Sequence, residues 1–132
     1  MRAAVSDTPA NGTIIDPAAL AVLQQLRRPD GPDPVAELID LFVQETPQRL
    51  REMRTAVTQY NAEALAVAAH GLRGCASSIG AVRMASLCEK LEQNAERRAL
   101  QISSRLLKEI ETEFEGARQA LELVKNQSQP VA

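Results

Sequence analysis

The chain has 132 residues and is 45% hydrophobic but only 2% aromatic, with no Trp, one Tyr and two Phe. That length suits one domain able to bury a core without disulfides or a structural metal, and a core of Leu, Ile, Val, Ala and Met favours helix packed on helix over strands. Lys plus Arg number 15 against 17 Asp plus Glu, a formal charge of -2, which gives no electrostatic case for nucleic acid or an anionic membrane.

Residues 1–13 mix Ser, Thr, Pro, Asn and Gly without periodicity, and 126–132 are equally polar, so both are expected to be flexible tails around a domain at 14–125. The N-terminus lacks the apolar run of a signal peptide, and no stretch approaches the roughly 18 to 20 apolar residues of a membrane span. A cytoplasmic protein is the expectation.

Asp16 followed by Pro17 is a helix start, with Asp as N-cap and Pro at the first helical position. Leu20, Leu23 and Leu26 give this short helix an apolar edge through Arg28. Pro29, Asp30, Gly31 and Pro32 force a loop, and Asp33 with Pro34 repeats the start signal. From Val35, the residues Leu38, Ile39, Phe42, Leu50, Met53, Val57 and Tyr60 recur at helical spacing. Pro47 lies inside that pattern, so one kinked helix is predicted, with a true break as the alternative.

Asn61 is a plausible N-cap for a third helix, Ala62 to about Ile79, closed by Gly80. A fourth runs from about Ala81 to Arg98, with Met84, Leu87, Cys88, Leu91 and Ala95 on one face. Ser103 or Ser104 could cap a fifth, although Leu100 and Ile102 argue for an earlier start. Its stripe is Leu106, Leu107, Ile110, Phe114, Ala117, Leu121 and Val124. The two cysteines, Cys75 and Cys88, sit in apolar helical patterns, where free cysteine behaves as a small hydrophobe. The fold class is therefore all-α: an antiparallel up-down-up-down four-helix bundle with a short additional N-terminal helix covering one end.

His70 is the only histidine. At roughly 100° per residue, Leu65, Ala68, Ala69, Leu72, Ala76 and Ile79 form one apolar stripe on the third helix. His70 lies roughly 140° from its centre at Leu65, among Glu63, Ser77 and Gly74. It faces water rather than core, where imidazole is an available nucleophile near neutral pH. Gly74, one turn on, lies on the same exposed face. Glycine inside a helix costs roughly 1 kcal/mol relative to alanine, and here the missing side chain leaves room for something bulky to approach the imidazole. Arg73 carries a bidentate donor suited to phosphate oxygens. Gly71 weakens the helix again without an obvious role.

His70, Leu72, Arg73, Gly74 and Gly80 resemble the signature of histidine-containing phosphotransfer (HPt) domains, usually His-x-Leu-Lys-Gly followed by small residues and a closing Gly. Asp16 to Leu20, Leu38 to Pro47, and the segments at Gly80 and Leu87 to Glu92 are similar to bacterial members in order and spacing. The resemblance implies a four-helix phosphorelay module whose histidine accepts a phosphoryl group from a receiver-domain aspartate and passes it to another. His70 would be the acceptor, through Nε2, and Arg73, in the place of the family's common Lys, would steady the phosphoryl oxygens. Ala66, Gly74 and Ser77 would belong to the docking face, with Arg83 assisting or simply solvated. Some members orient the histidine ring with a Gln on the next helix. The match by spacing is Glu92, which is expected to be a solvated helix residue, with ring orientation as the alternative.

The implied partners are receiver domains of response regulators or hybrid histidine kinases, which bring the aspartyl phosphate and the metal; the chain itself is expected to be a monomer with no cofactor and no metal site. A non-phosphorylated adaptor of the same fold is the alternative function. An enzyme is disfavoured, because Cys75 lies roughly 140° around the helix from His70 and cannot pair with it as nucleophile and base. No nucleotide-binding motif is present, so autokinase activity is not expected.

Overall fold

The computed structural model describes residues 14–27, 30 and 33–127. They form five helices and no strand: α1 (Pro17–Gln25), α2 (Pro34–Thr58), α3 (Ala62–Ile79), α4 (Val82–Glu96) and α5 (Leu100–Gln127). The start signals work as the sequence predicts. Oδ1 of Asp16 accepts a hydrogen bond from the Ala18 N–H at 3.0 Å, that of Asp33 from Val35 at 3.0 Å, and that of Asn61 from Ala64 at 3.1 Å. Each relieves one of the four unpaired donors of a helix N-terminus.

The three turns joining α2 to α5 share one closure. In each, an N–H reaches back five residues to a carbonyl of the preceding helix: Asn61 to Ala56, Ala81 to Ala76 and Ala99 to Asn94, all at 2.8 Å. This closure needs a left-handed residue just after the helix. Gly80 takes it at φ 84°, but Tyr60 (φ 54°) and Arg98 (φ 60°) do so with full side chains. Gly80 is required twice over, since a Cβ there would stand 2.6 Å from the Ala19 Cβ of α1.

Around the bundle, α3 packs on α2 and α4, and α5 packs on α4 and α2. Asp40 pairs with Lys125, Phe42 with Phe114 and Arg54 with Glu111. Residue numbers rise along α2 as they fall along α5, so these helices are antiparallel. Ile39, Met53, Leu65, Leu72, Met84, Leu91, Ile110 and Leu121 are fully buried in the core between the four helices. The two phenylalanine rings meet edge to face with centroids 5.5 Å apart, a favoured aromatic geometry. The N-terminal element covers one end, as expected: the Asp16 N–H donates to the Gly80 carbonyl at 2.7 Å, and Ile15 and Leu23 are buried.

The second helix passes through Pro47 without a break, the single element that the sequence predicts. Several other details differ from the sequence expectations. Leu26 is exposed, because α1 ends at Gln25 and the apolar edge stops at Leu23. Leu38 is 41% exposed and Tyr60 80% exposed rather than in the core stripe. Ser103 caps nothing: α5 begins at Leu100, and Ser103 is buried inside it, its hydroxyl donating to the Ala99 carbonyl at 3.1 Å. Asn126 and Gln127, expected in the C-terminal tail, continue α5. The rest of the expected tails and Arg28, Pro29, Gly31 and Pro32 of the loop lie outside the described residues.

Candidate functional site

Helix α3 buries Leu65, Ala69, Leu72, Ala76 and Ile79, the stripe read from its periodicity, while Ala68 is half-buried at its border. The opposite face carries His70, whose side chain is 62% exposed. Its Nδ1 lies 3.1 Å from Oε2 and 3.4 Å from Oε1 of Glu92 on α4. Nη2 of Arg73 approaches the same nitrogen at 3.2 Å. The other ring nitrogen, Nε2, has no hydrogen-bond partner among the described residues.

Glu92 is thus not the solvated residue the sequence suggested. Its side chain is 18% exposed because α3 and α4 form a tight antiparallel pair, which brings positions 22 residues apart into contact. Arg73 lies between the helices too, with Nε 3.9 Å from Glu92 and Nη1 3.9 Å from Glu89. These are loose ion pairs, long for a charge-assisted hydrogen bond. Arg83 is neither near the imidazole by any contact nor freely solvated; it pairs with Glu113 of α5 at 2.7 Å.

Around the histidine, Gly74 and Ser77 are exposed, and a Cβ built on Gly74 meets nothing within 4 Å. No packing inside the bundle therefore requires glycine there. Ala66 is half-buried and packs on the core. On the α2 side, Leu38, Leu41, Phe42, Cys75, Ser78 and Ile79 line an apolar groove. Leu41 is 51% exposed. The contribution of α2 was missed by the sequence reading, although a signal exists. Leu38, Ile39, Leu41, Phe42 and Val43 are too many apolar residues for one core stripe, and the surplus falls on the outside.

Cys88 offers no alternative nucleophile. Both cysteines are free thiols; Cys88 is buried, and that burial pushes its thiol up to about 12, which leaves it protonated at neutral pH. Among the described residues, no three His, Cys, Asp or Glu side chains are grouped so as to hold a metal ion, and no helix is long and apolar enough to cross a membrane.

Comparison with known proteins gives this arrangement a family. The Hpt domain model matches residues 37–120, a span that holds α3, α4 and the whole His70 cluster. Histidine-containing phosphotransfer protein 1 of Arabidopsis thaliana is 30% identical over 113 residues, covering 83% of this chain and 73% of that protein. The crystal structure of histidine-containing phosphotransfer protein B (HptB) from Pseudomonas aeruginosa PAO1 superimposes with a TM-score of 0.81 at 32% identity, covering 88% of this chain and 97% of that one. A rice protein solved by X-ray crystallography shares the fold at a TM-score of 0.75 and 22% identity, over 90% of this chain and 88% of its own. A helical bundle with an outward histidine, matched over most of its length by that model and by a relative of this similarity, belongs to the Hpt domain family.

Proposed function

We propose that this protein is a phosphorelay intermediate in which His70 accepts a phosphoryl group from an aspartyl phosphate on one receiver domain and delivers it to an aspartate on another. The observation that carries this reading is the state of the imidazole: exposed, held at Nδ1 by Glu92 and open at Nε2. Nδ1 cannot donate to Glu92 and accept from Arg73 at once. Either bond would be charge-assisted, but the Glu92 oxygen is the nearer partner, at 3.1 Å against 3.2 Å, and the Arg73 guanidinium has both Glu89 and Glu92 to turn to. The proton therefore sits on Nδ1, and the Nε2 lone pair faces outward.

In the forward step, Nε2 attacks the phosphorus, the bond from phosphorus to the aspartyl oxygen breaks, and the carboxylate leaves with its electron pair. The second transfer reverses these roles with a new aspartate. Such transfers depend mainly on positioning and charge neutralisation. The receiver brings the metal, and this chain brings the nucleophile and the surface. Arg73, held loosely at 3.9 Å by its carboxylates, swings from them to the phosphoryl oxygens. Gly74, Ser77 and the half-buried Ala66 form the docking face, continued by the apolar groove at Leu38 and Leu41. The protein acts as a cytoplasmic monomer without cofactor or autokinase activity.

Incubation with receiver domains phosphorylated by acetyl phosphate tests the proposal. Acid-labile label should appear on the wild type and be absent from His70→Gln, whose fold and stability should stay within about 0.5 kcal/mol of wild type because the side chain is exposed. Binding without His70-dependent label under those conditions would establish the adaptor instead, and self-labelling with ATP would overturn the assignment as a carrier.

A further inference from the structure

Gly71, which has no role in the helix pattern, has one in the tertiary structure. A Cβ at that position would stand 2.9 Å from Nη1 and 3.9 Å from Cζ of Arg49, a residue of α2. The guanidinium lies in the notch that the missing side chain leaves. Gly71 lowers the helix propensity of α3, and what occupies the vacated space is a cation.

That cation is unpaired. Arg49 makes no hydrogen bond or ion pair among the described residues, although Glu45 and Glu52 lie one turn away on its own helix. Other described cations without an ion pair, namely Arg51, Lys90, Arg97, Arg105 and Lys108, are exposed; Arg49 is half-buried. It also lines the apolar groove with Leu38 and Leu41. A half-buried guanidinium has lost hydration without gaining a counter-charge, at the edge of an apolar surface. That is the pattern of an interface rim, where charge complementarity guides encounter.

We propose that Arg49 is a docking residue that pairs with carboxylates on the receiver domain seated over the groove, setting affinity and its salt dependence. This rests on the phosphorelay reading above. The charge serves a partner's acidic rim rather than the transferred phosphoryl group. Arg73 touches the imidazole, whereas Arg49 sits over the next residue, roughly 100° around the helix from His70, on the side facing away from Glu92.

The test uses the receiver domain that charges His70. Arg49→Gln, which keeps the aliphatic stem, should weaken binding about fivefold at roughly 50 mM salt. The gap should close at high salt, and the transfer rate at saturating receiver should not change. Gly71→Ala puts a methyl group where the guanidinium lies and should give the same loss of binding without loss of helicity or thermal stability. The double variant should be no weaker than either single one. Wild-type affinity in Arg49→Gln at low salt, a lowered saturating rate, or additive losses in the double variant would overturn the proposal. If the wild type transfers normally while Arg49→Gln matches it, only this inference falls; if the wild type binds and accepts from no receiver, the phosphorelay reading falls with it.

Discussion

Oε2 of Glu92 stands 3.1 Å from Nδ1 of His70, joining α4 to α3 beside the exposed imidazole. An acceptor at that place fixes both the ring orientation and the tautomer. Glu92→Gln keeps a carbonyl oxygen for the Nδ1–H and should transfer within about threefold of wild type. Glu92→Ala removes the acceptor and should lower the saturating transfer rate about tenfold through lost positioning, with little change in receiver affinity. Nitrogen NMR of His70 should show a single Nδ1–H tautomer in the wild type and a mixture in Glu92→Ala. An unchanged tautomer in that variant would remove Glu92 from the mechanism.

Gly74 separates stability from docking. Because a Cβ there meets nothing within 4 Å, Gly74→Ala should raise stability by about 0.5 to 1 kcal/mol, the ordinary helix-propensity gain. Gly74→Leu should retain part of that gain while weakening receiver binding at least tenfold, as its side chain projects beside the imidazole. Thermal unfolding and a binding titration on the same samples read both effects. Normal binding by Gly74→Leu would show that the partner approaches elsewhere.

Tyr60 holds a left-handed conformation at φ 54° with its side chain 80% exposed. It therefore bears the steric cost of that region without burying its ring in return. Tyr60→Gly should stabilise the bundle by about 1 kcal/mol, a rise of several degrees in Tm for a domain this size. A fall in Tm would mean that the ring contributes contacts that outweigh the backbone relief.

Burial raises the Cys88 thiol from 9.0 to about 12 in the folded state. Below pH 9 the thiol is neutral in both states and its full contribution is present. Between about pH 9 and 12 the unfolded chain ionises while the folded one does not, so stability falls with rising pH, approaching about 1.4 kcal/mol per unit. Cys88→Ala should start lower, because of the cavity, but lose stability less steeply. Urea unfolding at a series of pH values from 8 to 10 compares the slopes, and parallel curves would refute the assignment.

Much of this molecule is legible in the chain. The Asp-Pro starts at 16 and 33, the Asn61 cap and the closing Gly80 are local signals, and local hydrogen bonds realise them. The orientation of His70 followed from counting residues around one helix, because a helix has one buried side and the apolar stripe marks it. What failed depended on neighbours. Leu38 was read as core since its spacing fits a stripe, yet the bundle covers only part of that wide apolar arc. Ser103 looked like a cap because its type favours caps, but the earlier start that Leu100 and Ile102 argued for is the one observed, at the turn closed by Ala99 and Asn94.

The helices, their buried faces and the outward position of His70 follow from local sequence, since periodicity and capping act within a few residues of one another. What surrounds that imidazole follows from how the helices pack. Glu92 and Arg49 come from helices on either side of α3, and both meet it because α2, α3 and α4 pack antiparallel at a fixed register. Register between helices is set by how whole side-chain surfaces interlock, a property of pairs of faces that no single helical stretch contains.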